Sequence, residues 1–421
     1  MRRKKTEMPK VKTITLGCRF NHYETEVAKS IIEKIASIDD IVIINTCAVT
    51  QEAERQSRQV VRKALRENPK AKVIITGCAT VTAASYFNEL EGIKIISNSK
   101  KSDPKSYIDM AKPTELLVSS NEEIIEDGDE MFANRVRAFL PIQNGCDHFC
   151  TYCIIPYTRG KSQSLPLDAI IRRIDHLVSI GFNEVVLSGI DITSYLYGKL
   201  TLADVIKEIL DKTSLERLRI SSIDPAGIDA HLFDLITNEE RVMPHFHLSI
   251  QSGDNDVLKA MRRRHTRDSV IKLCNDILDK RRDIVLGSDF ITGFPTETDS
   301  MFENTLKLVD EAHLSLLHVF PFSPRTGTVA AKMIQLPPKI IHDRAKILRE
   351  KAQQAKKKLL QSFVGRQITG VIEKSANEIS FGKTNSFVPF RLPNNLPSRK
   401  VIRGIVIGFN DEFLDVKILT C

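Results

Sequence analysis

Residues 137–153 read RAFLPIQNGCDHFCTYC: an apolar run, an Asn-Gly turn signal, then cysteines at 146, 150 and 153. The run fits a buried strand, and the turn places Cys146 just beyond its C-terminal end. Moving outward, apolar runs recur at 184–189, 217–221, 245–251, 284–291 and 315–321. Between them, 166–180, 200–212, 266–280 and 299–312 carry the apolar spacing of helices. Six strand–helix units predict a parallel (β/α)6 barrel, incomplete beside the eight-unit form, with its working rim at the C-terminal strand ends.

Upstream, one layout appears three times: VKTITLGC at 11–18, DIVIINTC at 40–47 and KVIITGC at 72–78. Each is a β-branched run ending in cysteine, and helical patterns at 23–35 and 52–67 separate them, so the order is βαβαβ. Right-handed crossovers bring the ends of such parallel strands to one sheet edge, where Cys18, Cys47 and Cys78 should converge. Six of the twelve residues at 119–130 are acidic, which reads as a linker. A basic helix at 339–361 precedes a turn-rich tail at 364–419 that predicts a small antiparallel β-barrel of about five strands. The fold class is therefore α/β. The expected domains are 1–118, a linker at 119–136, the barrel with its trailing helix at 137–362, and the tail at 363–421.

With 421 residues, 42% hydrophobic and 27% charged, the chain has ordinary globular composition, which excludes wholesale disorder and a membrane bundle. No apolar window reaches the roughly 18 residues of a membrane span, and the apolar run after the basic start is too short for a signal peptide. The expectation is a cytoplasmic protein with no membrane partner. In a reducing compartment, clustered cysteines point to metal or redox chemistry rather than disulfides. Lys and Arg number 61 against 53 Asp and Glu, a net +8, but residues 330–421 hold 17 basic and 7 acidic residues. A net +10 focused on a small β-barrel reads as a phosphate-backbone binder; the bland alternative is a solubilising face.

Three soft thiolates with C-x3-C-x2-C spacing select zinc, copper(I) or an iron–sulfur cluster. A structural zinc wants four ligands, so His148 would have to serve, and the ferredoxin run C-x2-C-x2-C-x3-C-P is absent. Three cysteines on a four-iron cubane leave one iron open to a small molecule.

On these residues the chain resembles the radical S-adenosylmethionine (SAM) superfamily. The resemblance implies a 4Fe–4S cluster on Cys146, Cys150 and Cys153 whose open iron chelates SAM, with Tyr152 beside the adenine. It also implies cofactor-contacting positions at Ser188 and Gly189, at Gln251 and at Asp289. The further cysteine triad and the basic tail look like the methylthiotransferases, a likeness that covers nearly the whole chain. It implies a second 4Fe–4S cluster on Cys18, Cys47 and Cys78, two SAM per turnover, a reductant such as flavodoxin or ferredoxin, and a sulfur donor. The tail resembles the RNA-binding TRAM domain. The contexts TLGCRFNHYETE (15–26) and NTCAVT (45–50), with Arg159-Gly160, look most like the branch acting on threonylcarbamoyladenosine in the anticodon loop of tRNA. One departure is visible: Gly77-Cys78-Ala79-Thr80-Val81 lacks the Ala-Gln that often follows the third cysteine.

Alternatives with related chemistry are a methylthiotransferase acting on isopentenyladenosine in tRNA or on a ribosomal protein. A cobalamin-dependent radical methylase would want a D-x-H-x-x-G motif, and a non-enzymatic iron–sulfur RNA-binding protein would leave two open irons without a purpose. Arg159 is a candidate for meeting a substrate carboxylate, and Arg262, Arg263, Arg264 and Arg267 for touching RNA. Cys274 lies on a helical apolar stripe as a core thiol, and Cys421 has no assigned role. The clusters are the chemistry; no side chain is assigned as a catalytic residue beyond them.

Overall fold

The computed structural model describes residues 11–35, 40–110 and 135–419. Most of the expected acidic linker and Cys421 lie outside the described residues. The chain forms two compact units. The first comprises 1–134, 145–161 and 323–331, the second 135–144, 162–322 and 332–421. The loop carrying Cys146, Cys150 and Cys153 thus packs with the N-terminal residues.

In the first unit, strands Val11–Thr15, Ile41–Thr46, Lys72–Gly77 and Ile93–Ile95 form a four-stranded parallel sheet in that order. Ile41–Thr46 is buried along its whole length, as its unbroken IVIINT run requires of a central parallel strand. Helix Gln51–Glu67 turns Ser57, Val61 and Ala64 inward, a stripe at helical spacing that packs on Val42, Ile44, Val73 and Ile75. Thr50 caps its start by accepting from the Ala53 N–H, and Glu52 and Glu54 suit the positive helix end.

The second unit holds six parallel strands: Ala138–Asn144, Glu184–Gly189, Arg217–Ile220, His245–Gln251, Val285–Thr292 and Leu314–Pro321. Ladders join the first to the second, the second to the third, the fourth to the fifth and the fifth to the sixth. Parallel bridges Leu218 to Val242 and Ile223 to Leu248 connect the third to the fourth. Among the described residues no ladder closes the sixth on the first, so the barrel is open, as six units predict. Helices Leu167–Ser179, Leu202–Lys212, Ala230–Asn238, Arg267–Lys280 and Asp299–Glu311 fill the crossovers. On Arg267–Lys280, Cys274 is buried with Val270 and Ile277, and burial pushes its thiol up to about 12.

Helix Pro338–Ser362 leads into a closed five-stranded barrel: Gln367–Ala376, Ile379–Thr384, Pro389–Leu392, Val401–Phe409 and Leu414–Ile418. Four neighbour pairs are antiparallel and one, Pro389–Leu392 with Leu414–Ile418, is parallel. An odd number of strands cannot alternate direction all the way round a closed ring, so one parallel pair is obligatory. The core of this barrel, built on Ile372, Val388, Phe390, Leu414 and Val416, continues into Val285 and Leu316 of the larger one. The small barrel therefore seats on the N-terminal end of the parallel strands, opposite their working rim.

Candidate active site

The three N-terminal cysteines meet because the strands before them are neighbours. Cys47 and Cys78 directly follow adjacent strands, and Cys18 lies three residues past a third. Gly17 and Gly77, the residues before Cys18 and Cys78, both have positive φ. A Cβ on Gly17 would lie 2.6 Å from Cys47 Sγ, and one on Gly77 would lie 2.2 Å from the Thr46 carbonyl. Glycine is needed at both places for the strand ends to close on one another. Burial pushes the Cys47 thiol up, the nearby Cys78 and Cys18 push it further, and the Val49 N–H and Arg159 pull it back. Ser57 clamps Cys47, accepting from its N–H at 3.1 Å and donating to its carbonyl at 3.0 Å.

A polar layer lies behind the triad. Asn21 donates through Nδ2 to the carbonyls of Leu16 (2.9 Å) and Thr46 (3.1 Å), and Asn45 donates to the Asn21 carbonyl. Arg159 donates to Asn21 Oδ1 at 2.7 Å and to both Glu24 oxygens at 3.0 and 3.1 Å, with its guanidinium 4.6 Å from the Phe20 ring centroid. Glu24 also pairs with Lys101, which is almost wholly buried. Burial pushes the Lys101 ammonium down, against the pull of Glu24. Arg159 and Lys101 share the single Glu24 carboxylate beside the triad, and the Arg159 charge offsets part of the rise that burial gives the Cys47 thiol. This layer went unseen in the sequence apart from Arg159, whose structural place is a buried ion pair rather than a substrate contact.

The second triad sits on the loop 145–161 of the same unit. Gly145 has φ +75, and a Cβ there would lie 2.0 Å from the Lys161 carbonyl, so the loop returns tightly past its own start. Cys146 N–H donates to Gly160 O, and Cys153 N–H to Cys150 O, and all three cysteines are half-buried. Tyr152 is half-buried between the last two. Asn98 links this loop to the first triad: its Nδ2 donates to Thr158 O at 2.8 Å and reaches Cys78 Sγ at 3.7 Å, while Lys101 donates to its Oδ1. Arg159 makes the second link. Segment 323–331 joins the same unit through the Arg325–Glu54 pair, Ser323 to the Gln51 N–H, and Ala330 N–H to Thr151 O.

The remaining expected positions lie on the barrel of the second unit. Gly189 ends the second strand, where a Cβ would lie 2.9 Å from Gln143 Oε1. Ser188 is half-buried beside it, and Gln251 ends the fourth strand with φ 75, a backbone state rare for a residue other than glycine. Asp289 stands deeper. Its Oδ1 accepts from His247 Nε2 at 2.8 Å and His318 Nδ1 at 3.1 Å. Burial would raise its carboxyl, but the two imidazoles outweigh that and hold it at about 2. Of the rim arginines, Arg263 and Arg264 pair with the buried Asp224 and Arg267 with Glu311. In the tail, Arg366, Lys374, Lys400, Arg403 and Lys417 are exposed.

The thiol donors fit iron–sulfur clusters: each set offers three soft ligands, one on a tight loop and the other in a cradle that two Cβ atoms would fill. A parallel partial barrel whose first strand runs straight into a C-x3-C-x2-C loop defines a radical SAM protein. Residues 140–309 match the radical SAM superfamily and 10–96 the uncharacterized protein family UPF0004. The chain is 43% identical over 411 residues to the threonylcarbamoyladenosine tRNA methylthiotransferase MtaB of Rickettsia prowazekii, covering 95% of this chain and 96% of that one. It is 31% identical over 394 residues to the tRNA-2-methylthio-N(6)-dimethylallyladenosine synthase of Orientia tsutsugamushi, covering 86% of each. The radical SAM methyltransferase TsrM of Kitasatospora setae shares the fold, with a TM-score of 0.55 at 12% identity over 75% of this chain and 74% of that one. The chain belongs to the radical SAM methylthiotransferase family, and as such it uses SAM and a 4Fe–4S cluster.

Proposed function

We propose that this chain inserts a methylthio group at carbon 2 of N6-threonylcarbamoyladenosine at position 37 of tRNA. The observation that carries the reading is 43% identity, end to end, with an enzyme of that name. The paired thiol triads in one compact unit support it. Carbon 2 of adenine bears an unactivated C–H bond that no tuned side-chain base can deprotonate, so a radical is required. Bound clusters would supply the electron that splits SAM at Cys146, Cys150 and Cys153, and the sulfur to be transferred at Cys18, Cys47 and Cys78, at a cost of two SAM per turnover. The protein's own part is positional. Asn98 and Arg159 fix the spacing of the two ligand loops, and Lys101 with Arg159 supplies buried positive charge beside the thiolates.

The closed barrel at 363–421 is read as a TRAM-type RNA-binding domain whose exposed Arg366, Lys374, Lys400, Arg403 and Lys417 meet phosphates. Position 37 lies in a single-stranded loop, where extruding a base costs little of the few kcal/mol needed in a duplex. Electrons come from a flavodoxin or ferredoxin and sulfur from a separate donor. The domain bounds 1–118, 137–362 and 363–421 are retained as functional modules. No helix among the described residues is long and apolar enough to cross a membrane. The test is nucleoside analysis of tRNA from a strain lacking the gene. The 2-methylthio form of threonylcarbamoyladenosine should vanish and return with the wild-type gene; its persistence overturns the assignment.

A further inference from the structure

A parallel barrel usually packs its interior with branched apolar side chains. This one is polar at two levels. At the floor, Glu184 accepts from Arg137 Nε (2.6 Å) and Arg219 Nε (2.8 Å) on Oε1 and from Arg217 Nε (3.0 Å) on Oε2. Arg137 Nη1 also pairs with the partly exposed Glu373, so three guanidiniums share two carboxylates, of which only Glu184 is fully buried. Burial pushes Arg219 down to about 10 even with Glu184 beside it, and the other two arginines add to the effect. Arg137 Nη2, Arg217 Nη2 and Arg219 Nη1 are buried with no hydrogen-bond partner among the described residues. The floor therefore holds one more positive than negative charge and three unused guanidinium nitrogens.

Above the floor stand His247, Asp289 and His318. The two ring centroids lie 4.5 Å apart with the planes tilted by 34°, and room for His247 comes from Gly287, where a Cβ would lie 2.7 Å from His247 Nδ1. Asp289 holds His318 by Nδ1, which leaves Nε2 as its outward edge. His318 is 65% exposed although it lies in the middle of a barrel strand. Two residues on, Phe320 is 43% exposed and meets the His318 ring edge-on at 6.5 Å. The two side chains share one strand face about 7 Å apart.

We propose that Phe320 and His318 read the substrate base in two parts: the Phe320 ring takes the purine face, and His318 Nε2 takes the carboxylate of the threonylcarbamoyl arm. The inference rests on the substrate assigned above and adds the residue that selects it. Four bonds separate the purine N6 from that carboxyl carbon, a span close to the spacing of the two side chains. An imidazole held at Nδ1 by Asp289 turns Nε2 toward the arm, where a hydrogen bond to a carboxylate is charge-assisted. An isopentenyl arm offers no anion and would bury the same edge unpaired. Asp289 and His247 are positioning residues.

The experiment uses the full chain with its clusters, under anaerobic conditions. Fluorescence anisotropy measures binding of anticodon stem-loops carrying threonylcarbamoyladenosine, its neutral methyl ester, or isopentenyladenosine at position 37. Wild type should bind the acid at least about tenfold more tightly than the ester, the worth of one charge-assisted bond. His318→Gln should bring that ratio to about one, Asp289→Asn should lower it, and His318→Arg should restore part of it. An unchanged ratio in His318→Gln overturns the inference, and a weaker dissociation constant for SAM with the ratio unchanged overturns it in favour of the SAM carboxylate. If wild type prefers the isopentenyl loop, the substrate assignment itself fails. If it prefers the threonylcarbamoyl loop without telling acid from ester, only this inference fails.

Discussion

Replacing Glu184 by glutamine tests the barrel floor. The carboxylate is 1% exposed and is shared by Arg137, Arg217 and Arg219. Burial alone would raise its carboxyl, but Arg219, Arg137 and Arg217 outweigh it and hold it at about 2 against an ordinary 4.5. That difference corresponds to roughly 3 kcal/mol at neutral pH. The figure agrees with the range of about 3–5 kcal/mol for removing one partner of a buried ion pair. Because the folded-state value is depressed, the contribution is complete above about pH 4.5 and is lost as pH falls toward 2. The tail shares the damage: Arg217 donates to Asn385 Oδ1 at 2.7 Å, Arg219 to Asn385 O at 3.0 Å, and Phe387 lies against Arg137 and Arg219. The chain has no tryptophan, so thermal unfolding is followed by circular dichroism, with hydrogen exchange on peptides at 182–190 and 384–392. Glu184→Gln should lower the opening free energy of both peptides by about 3 kcal/mol at pH 7. Its own loss between pH 4.5 and 2 should be smaller than that of wild type. A variant within about 1 kcal/mol of wild type at pH 7, or one with the full wild-type acid loss, refutes the reasoning.

Anaerobic reconstitution should give about eight irons per chain for two 4Fe–4S clusters, and Cys18→Ala about four; an unchanged count sinks the two-cluster assignment. Glu24→Gln leaves Lys101 and Arg159 buried without a counter-ion. It should cost about 3–5 kcal/mol and deplete iron in a chain whose second triad is replaced by alanine, with Lys101→Met restoring part of both, as urea unfolding and iron assay would show. Gly77→Ala drives a Cβ to 2.2 Å from Thr46 O and should cost at least about 2 kcal/mol, whereas Gly365→Ala, also at positive φ but in open space, should cost about 1. Arg403→Glu with Lys417→Glu should flatten the salt dependence of tRNA binding by about two units of slope; an unchanged slope returns the patch to a solubilising face.

Much of this arrangement is legible in the chain because it is written locally. Each β-branched run ending in cysteine specifies both a strand and a thiol at its end, so the convergence of Cys18, Cys47 and Cys78 follows from parallel topology alone. Gln143, Gly189 and Gln251 fall at strand ends for the same reason. What stays hidden is long-range pairing of charge. Glu24, Lys101 and Arg159 come from a long helix, a turn and the end of a five-residue helix with no shared periodicity, and Lys101 on its own reads as an ordinary surface lysine. His318 sits in an apolar run where alternation predicts a buried strand, and only the open side of a six-stranded barrel exposes it.

The placement of Arg159 ties the two cysteine triads to one another. It follows Cys153 by six residues on one continuous turn and helix, and its guanidinium ends on Asn21 and Glu24, behind Cys18 and Cys47. Asn98 runs the other way, from beside Cys78 to the Thr158 carbonyl. A shift of the 145–161 loop by 1 Å would break Asn98–Thr158 and the two Arg159–Glu24 bonds together, each partner being buried and unable to turn to water. The spacing of the triads is therefore held by the same polar atoms that neutralise the first one. Removing Glu24 should loosen both at once, so Glu24→Gln should raise hydrogen exchange in peptides containing 146–160 as much as in those containing 15–26. Exchange confined to 15–26 would show that the two loops are held independently.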